Sequence, residues 1–465
     1  IGYMKKKELM PTEENLINTL INDTIGRNKD IVDFLNILKC QEASCSIALN
    51  GKWGSGKTFF VRQTEMFINA SSCLSQTDKD VKDKITSSVP IKKFPNDEFA
   101  IYYDAWKNDN DTDPIFSLIY EITNQVNADF SNKEFSLSKV CDLAASIISV
   151  ITGRDVNKIL ESLKSENKFE DFKKEKSAEK MIGEFFTEIL CERGNRLVIF
   201  IDELDRCKPT YAIKLLEQIK HYMMDDRITF VFSVNLDQLQ HTIKCYYGVD
   251  FDASRYLDRF FDFRIDLPAP DMDKFFEELS LEKNYNSKII LNQIVKMFDF
   301  KLREISRLWS QVYVANHNVY NKTEFSFIFP DDEGMEIILI YIVPLMIGLR
   351  IADISRYEDF INGKDSTPLK ELLEEDTLKS LLTNMLDNNE SFIEEDGKKQ
   401  VTHEMIIERF YGAVFGNQYT KNIFEIELGK YIFSRKSKEF AIRASSMMSE
   451  YAELSKTFFT IDITY

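Results

Sequence analysis

The chain has 465 residues, 44% of them hydrophobic and 29% charged, with 36 Phe and 19 Tyr. A chain of this length exceeds what one hydrophobic core usually organises, so we expect two or three domains and an extensive buried interior. The formal net charge of -17 argues against a general nucleic-acid coat or an anionic membrane surface as a partner, although it leaves room for a local basic patch.

Cysteine usage and apolar runs bear on the compartment. The seven Cys are scattered without a C-x-x-C pair, which favours reduced thiols in a cytoplasm over a disulfide framework. The apolar runs Val140–Thr152 and Ile337–Leu349 each hold about 13 residues, whereas a membrane-spanning helix needs about 20. We therefore predict two buried helices and no membrane span.

The first part of the chain is predicted to be a helical entry segment, residues 1–43. Apolar residues recur at helical spacing through residues 11–40, which predicts one helix there. A short apolar strand follows at Ser44–Asn50. Residues 71–98 are polar and predict a loop or mobile insert before a second strand at Phe99–Ala105.

Three further apolar strands lie between helical stretches, at Leu197–Ile201, Ile228–Val234 and Phe261–Leu267. Strands that alternate with helices are typical of a parallel sheet with helices on both faces. We therefore predict an α/β core with three layers and a mainly parallel sheet over residues 44–270. Residues 114–195 predict a helical insert within it.

Pro268-Ala269-Pro270 ends the alternating pattern. Beyond these residues the spacing of apolar side chains predicts only helices. We expect a helical lid over residues 271–324 and a helical C-terminal domain of unknown role over residues 325–465.

The segment that follows the first strand fits G-x-x-x-x-G-K-[ST] at every position. Glycines let successive backbone N–H groups enclose an anion, and the following helix directs its positive end at it. Lys57 is predicted to reach the β- and γ-phosphates, and the Thr58 hydroxyl to bind Mg²⁺. A plain glycine turn is the alternative, and the strand before and helix after disfavour it. The predicted nucleotide-binding residues here are Gly51, Lys52, Trp53, Gly54, Ser55, Gly56, Lys57, Thr58 and Phe59.

The strand Leu197–Ile201 ends in two carboxylates, Asp202 and Glu203. A buried strand can deliver Asp202 beside the phosphate loop, where it would hold Mg²⁺ through a bound water. Glu203 would point to the other side and accept a proton from the water that attacks the γ-phosphate. Two solvated acids are the alternative, which the five apolar residues before them disfavour.

Two other polar or aromatic positions need an interpretation. Asn235 follows the strand Ile228–Val234, and we predict that it is a sensor of the γ-phosphate or the attacking water; the alternative is a turn-forming Asn. Trp106 and Phe116 are predicted to belong to the core.

Five separated segments resemble the KAP family of P-loop NTPases, within the ATPases that have an added strand and a catalytic glutamate and are related to the AAA+ and STAND classes. The segments are Gly51–Thr58, Tyr102–Trp106, Asp202–Cys207, Tyr256–Phe261 and Leu302–Leu308. They stand in the family's order and cover roughly residues 20–320. Many family members carry membrane spans between the two phosphate motifs, so this chain resembles a soluble member.

The resemblance implies an arginine finger. Arg259 stands just before the last strand, where related ATPases place an arginine that acts on a neighbour's nucleotide. Arg255 is its competitor for this role. The alternative is a surface Arg paired with Asp258 or Asp262.

The resemblance assigns roles to further residues. Arg303 is expected to be a lid arginine that reaches the γ-phosphate, the alternative being a surface pair with Glu304 or Glu336. Arg27 resembles part of the entry segment that lines an adenine pocket. The resemblance also implies that Asp205 and Arg206 orient Glu203 or bridge subunits.

Three functions stay open at this point. In the first, ATP binding and hydrolysis drive a conformational or assembly switch; the resemblance implies a bacterial setting and links to the exclusion of phages and plasmids, so we expect a role in antiviral defence. In the second, ATP clamps a scaffold with little turnover and an effector protein carries the activity. The third is a motor on nucleic acid, against which the charge of -17 counts. The expected cofactors are ATP and Mg²⁺, and the expected partners are further copies of the chain or an effector protein.

Overall fold

The fold is given by a computed structural model, and it forms two compact units: residues 10–278, and residues 279–465 together with residues 1–9. The structure describes residues 10–41, 43–73, 77–91, 94–111, 113–130, 147, 180–190, 196–222, 225–271, 274–275, 285–320, 337–380, 403–416, 425–428 and 431–446. The predicted buried helix at Val140–Thr152 therefore lies, apart from Ile147, outside the described residues.

A sheet of five parallel strands forms the centre of the first unit, in the order β2-β3-β4-β1-β5. The strands are β1 Cys45–Asn50, β2 Glu98–Asp104, β3 Arg196–Asp202, β4 Ile228–Val234 and β5 Phe263–Asp266. They agree with the predicted strands to within about two residues, and the predicted α/β class with a mainly parallel sheet is confirmed.

Helices cover both faces of this sheet. They are α1 Glu13–Ile21, α2 Asn28–Lys39, α3 Lys57–Ser71, α4 Lys79–Ser88, α5 Pro114–Phe130, α6 180–190, α7 Pro209–Tyr222, α8 Leu236–Tyr247 and α9 Ala253–Leu257. Successive side chains of a strand point to opposite faces. In β3, Leu197 and Ile199 pack in the cluster with α5 to α9, whereas Val198 and Phe200 pack in the cluster with α1 to α4.

Two predictions for the first unit are wrong in detail. Residues 11–40 form two helices, because the backbone turns at Asp23 and Gly26, which have φ of 48° and 68°. The segment 71–98 contains α4, which has only two apolar residues, Val81 and Ile85, too few to mark a helix in a polar segment. Asn28 joins these pieces by donating hydrogen bonds to the carbonyls of Leu20 and Ser88.

The second unit is mostly helical. Its helices are α10 Tyr285–Met297, α11 Leu302–Tyr320, α12 Val343–Ala352, α13 Ile354–Ile361, α14 Thr367–Leu372, α15 His403–Phe415 and α16 Arg435–Ser446. The apolar run Ile337–Leu349 is buried as predicted and begins with a π-helical turn, Ile338–Ile342. No helix in the described part of the chain is long and apolar enough to cross a membrane.

The expectation that only helices follow Pro270 misses a hairpin. Strands β6 Glu425–Leu428 and β7 Tyr431–Ser434 pair antiparallel. The sequence of β6 alternates apolar with charged residues, whereas that of β7 does not, and each strand is only 4 residues long, too short to stand out among helical stretches.

Candidate active site

The phosphate loop joins β1 to α3, and its conformation depends on glycine. Gly54 and Gly56 have φ of 76° and 88°, in the left-handed region where a Cβ is unfavourable. A Cβ on Gly51 would lie 2.8 Å from Ser55 Oγ. That hydroxyl is buried and has no hydrogen-bond partner among the described residues. The loop thus offers an unused donor beside the first N–H groups of α3, which have no acceptor within the helix.

Lys57 begins α3, and its ammonium group lies against the loop that precedes it. The Nζ atom donates to the carbonyl oxygen of Gly51 at 2.6 Å and to that of Lys52 at 3.3 Å. Burial lowers the pKa of Lys57, and the carboxylates of Asp205 and Asp202 oppose this effect. A buried cation therefore lies within the segment that the motif assigns to phosphate.

Asp202 at the end of β3 meets the next residue of the loop. Thr58 Oγ1 donates to Asp202 Oδ2 at 2.7 Å, and the Tyr102 hydroxyl donates to the same oxygen at 3.1 Å. Asp202 is 0% exposed, and burial raises its pKa while these hydrogen bonds oppose the rise.

Hydroxyl and carboxylate oxygens are the donors that Mg²⁺ prefers, so Thr58 and Asp202 fit the predicted metal. No cluster of three His, Cys, Asp or Glu suited to a metal occurs among the described residues. Tyr102 was not predicted as a site residue. Its place in the segment Tyr102–Trp106, at the end of a strand, is the signal that could have indicated it.

Glu203 follows Asp202 and turns away from the strand. Its φ of 62° lies in the left-handed region, which for a residue other than glycine costs on the order of 1 kcal/mol. Its Oε2 atom lies 2.5 Å from Arg206 Nε. Burial raises the pKa of Glu203 to about 7, Asp202 adds to the rise, and Arg206 opposes it. A carboxylate with a pKa near neutrality is suited to proton transfer.

Two tryptophans flank Arg206. The centre of its guanidinium lies 5.6 Å from the ring centroid of Trp53 and 5.4 Å from that of Trp106. Trp53 also donates from its indole nitrogen to Asp205 Oδ2 at 2.6 Å. The prediction of Trp106 as a core residue is wrong, since 46% of it is exposed. It lies beyond the end of β2, where the strand no longer carries it into the interior.

Asparagines mark the ends of β4 and β1. The Asn235 Oδ1 atom accepts from the backbone N–H groups of Asp237 and Gln238, so this side chain caps α8. Its role as a sensor stays a prediction. Asn50, which was not predicted, accepts from the N–H of Leu236 at 3.0 Å and donates to Asp266 at 2.7 Å. It fixes the start of the phosphate loop between β4 and β5.

The candidate finger arginines are exposed. Arg259 and Arg255 form no ion pair with any residue that the structure describes. The expected surface partners are engaged elsewhere: Asp258 pairs with Arg264, and Asp262 accepts from the backbone N–H of Ser46. The finger role of Arg259 remains a prediction.

Arg303 belongs to α11 of the second unit and is exposed. Glu304, its expected partner, instead accepts from the backbone N–H of Lys301 at 2.7 Å. Glu336 lies outside the described residues. The lid role of Arg303 stays a prediction.

Arg27 and Phe59 differ in what they offer a nucleotide. Arg27 is only 4% exposed; its Nη2 donates to the carbonyl of Pro268 at 2.6 Å, and its other two nitrogens have no partner among the described residues. Burial lowers the pKa of Arg27 to about 10, with Asp30 opposing. A buried guanidinium with unused donors fits a ligand that offers acceptors. The Phe59 side chain is buried, so its contact with a nucleotide is limited to its backbone.

Solved structures resemble the chain only distantly. The ORC2 protein of Aeropyrum pernix, solved as ADPNP-ADP complexes, shows 9% identity and a TM-score of 0.27, with 96% of this chain and 97% of that chain covered. The ORC1 protein of Aeropyrum pernix in complex with DNA shows 14% identity and a TM-score of 0.27, with 96% and 94% covered. PCH-2 of C. elegans shows 12% identity and a TM-score of 0.21, with 81% and 72% covered.

Comparison with curated proteins gives no match. The model of the KAP family P-loop domain matches residues 27–319, which is more than half of the chain. That range contains the phosphate loop, the Asp202–Glu203 strand and the candidate arginines described here. The chain therefore belongs to the KAP family of P-loop NTPases.

Proposed function

We propose that this protein binds Mg-ATP and hydrolyses it to ADP and phosphate, and that the reaction drives a conformational or assembly switch. The observation that carries this proposal is the contact between Thr58 and Asp202, 2.7 Å apart, with Lys57 and Glu203 as their chain neighbours. Elements separated by more than 140 residues thus meet at one edge of the sheet. We assign to the side chains there the roles of a phosphate-binding lysine, two metal-binding oxygens and a general base.

Each side chain has a role in this chemistry. Lys57 and the N–H groups of the loop bind the phosphates, while Thr58 and Asp202 hold Mg²⁺, which when bound supplies positive charge to the phosphate oxygens. Glu203 accepts the proton of the attacking water. Asn235 is proposed to orient that water by its amide group.

Assembly is proposed to complete the site. Arg259 is exposed and without an ion pair among the described residues, which suits a cation that acts on the nucleotide of a second copy. We propose that Arg303 acts from a lid over residues 271–324 and that Arg27 lines the pocket for the adenine base. The role of residues 325–465 would be to engage a partner, in a bacterial cytoplasmic defence against phages.

A second candidate function is a scaffold clamped by nucleotide, with an effector protein as the active partner. The ion pair between Glu203 and Arg206 favours it, because a carboxylate held by a guanidinium is less available as a base. In this case ATP would be bound and turned over hardly at all.

The test measures ATP hydrolysis by the purified chain, wild type against Glu203→Gln, beside its mass in solution with and without Mg-ATP. We expect the wild type to hydrolyse ATP and the Glu203→Gln variant to have lost this activity. We also expect Mg-ATP to raise the mass of the protein in solution. Binding without hydrolysis or assembly would reject the switch and favour the scaffold. Absence of nucleotide binding would reject both.

A further inference from the structure

Trp53 connects the phosphate loop to the segment that carries the general base. It is the third residue of the loop, yet its indole nitrogen lies 2.6 Å from Asp205 Oδ2, three residues after Asp202. Asp205 is buried, whereas Trp53 is 44% exposed, so the hydrogen bond is partly buried. Any change in the loop at Trp53 therefore acts directly on the turn Leu204–Arg206.

Arg206 is the next contact in this series. Its guanidinium faces Trp53 on one side and Trp106 on another, at 5.6 Å and 5.4 Å, within the range of cation–π attraction. Its Nε atom lies 2.5 Å from Glu203 Oε2, and both side chains are largely shielded from solvent. The two rings and the carboxylate together fix the arginine in one position.

The ion pair has a chemical consequence for Glu203. A base accepts a proton through a carboxylate lone pair, and Arg206 occupies one lone pair of Glu203 Oε2 and stabilises the charged carboxylate, which makes it a weaker base. Loosening the pair would make Glu203 a stronger base. Trp53 is the contact through which phosphate in the loop would loosen the pair.

We propose that Arg206 is a positioning residue that restrains Glu203, and that Trp53 couples this restraint to the occupancy of the phosphate loop. The inference rests on the proposed role of Glu203 as the base. Arg206 acts on Glu203 through the ion pair, and Trp53 acts through Asp205 and Arg206.

Thermodynamic linkage and simple electrostatics predict opposite changes in nucleotide affinity when Arg206 is removed. If phosphate in the loop weakens the pair of Arg206 with Glu203, the pair must weaken nucleotide binding by the same factor. Removing Arg206 should then strengthen nucleotide binding. Coulomb attraction alone predicts the reverse, because a cation near a phosphate site favours the anion.

The test measures the dissociation constant of Mg-ADP by calorimetry, so that it does not depend on turnover. We expect Arg206→Gln to bind Mg-ADP about five-fold more tightly than wild type, the lower end of typical coupling. The matched control is Arg227→Gln, which removes another arginine paired with a nearby carboxylate, at the start of β4, and should leave the constant unchanged. Arg206→Lys keeps the positive charge but lacks the planar guanidinium group. Its gain in affinity for Mg-ADP should be smaller than that of Arg206→Gln.

The role of Trp53 is tested by a double-mutant cycle, which cancels its direct effect on the nucleotide. In a Trp53→Ala background, Arg206→Gln should give little further gain. A gain of full size in that background would reject the coupling through Trp53, and unchanged or weaker binding by Arg206→Gln would reject the restraint. Thermal unfolding of each variant shows whether it is folded.

Failure of the coupling and failure of the proposed ATPase give different results. Binding of Mg-ADP without any hydrolysis by wild type would reject the ATPase, while the affinities of the Arg206 variants would still decide the coupling. Loss of all nucleotide binding in wild type would reject both. With hydrolysis present, Arg206→Gln should raise kcat several-fold and lower KM, in line with the tighter binding, whereas loss of a merely structural arginine would not raise kcat.

Discussion

The parallel sheet has a carboxyl edge, where its strands end, and an amino edge, where they begin. Each edge carries a buried acid, and the surroundings of the two acids differ. At the carboxyl edge, Asp202 accepts hydrogen bonds from Thr58 and Tyr102. At the amino edge, Glu98 begins β2 beside Arg196, and its Oε2 has no hydrogen-bond partner among the described residues. Burial raises the pKa of both acids, and for Glu98 the value is about 7. Burial alone therefore does not mark a functional acid, whereas convergence of donors from separate elements does.

The largest expected effect on nucleotide binding is at Lys57. Replacing it with Ala removes the buried cation of the loop, so Mg-ATP should bind about a hundred-fold or more weakly. Stability should not fall, because burial disfavours the charged form of this lysine in the folded protein. Calorimetry and thermal unfolding measure the two quantities. A large loss of stability with nucleotide binding unchanged would mean that the carboxyl edge is structural, like the amino edge.

A second copy is expected to complete the carboxyl edge. Arg259→Ala should lower kcat about a hundred-fold at protein concentrations that allow assembly, because a cation that stabilises the transition state is lost. Arg255→Ala, four residues earlier, is the matched control and should have a small effect. The finger assignment moves to Arg255 if the two losses are reversed. Mixing Arg259→Ala with Glu203→Gln tests action between subunits: each mixed pair can form one intact site and should regain activity.

The amino edge should affect stability alone. The folded pKa of Glu98, about 7, lies above its ordinary value of 4.5, so the folded chain binds a proton that the unfolded chain releases between these values. Unfolding free energy should therefore decrease as pH rises from 5 to 7. Glu98→Gln removes this dependence and should be more stable by about 2 kcal/mol at pH 8. Denaturant unfolding at several pH values measures it, and an identical pH slope in wild type and variant would contradict the interpretation.

The smallest expected effect is at Tyr102. Tyr102→Phe removes one hydrogen bond to Asp202 and should raise the Mg²⁺ concentration needed for half-maximal activity about ten-fold. Tyr103→Phe is the matched control, because that hydroxyl pairs with Tyr211 at 2.5 Å on the other face of β2. Equal Mg²⁺ requirements in the two variants would show that Tyr102 has no part in the metal site.

Features that lie within consecutive residues could be predicted from the sequence. The strands are runs of apolar residues buried on both faces. The glycines and the lysine of the loop Gly51–Thr58 match the phosphate-loop motif in order. The helix α4 could not be predicted in this way, because only Val81 and Ile85 among its residues are apolar and only Ile85 is buried. The hairpin β6–β7 is too short to produce a periodic signal.

Contacts between distant segments could not be read from the sequence. The Tyr102 hydroxyl reaches Asp202 because β2 and β3 are neighbouring strands, and this contact joins residues 100 apart in the sequence. The contact of Trp53 with Asp205 joins residues 152 apart. Trp106 was assigned to the core because large aromatic residues are usually buried, and only its position past the end of β2 shows that it faces Arg206 instead.

The most direct test compares the two edges of the sheet in one assay. Steady-state ATP hydrolysis is measured for wild type, Glu203→Gln and Glu98→Gln at equal concentration with saturating Mg-ATP. We predict that Glu203→Gln lowers kcat about a thousand-fold, as expected for loss of a general base, while Glu98→Gln keeps the rate of wild type. Equal rates for all three proteins, or loss of activity in Glu98→Gln alone, would contradict the assignment of the carboxyl edge as the active site.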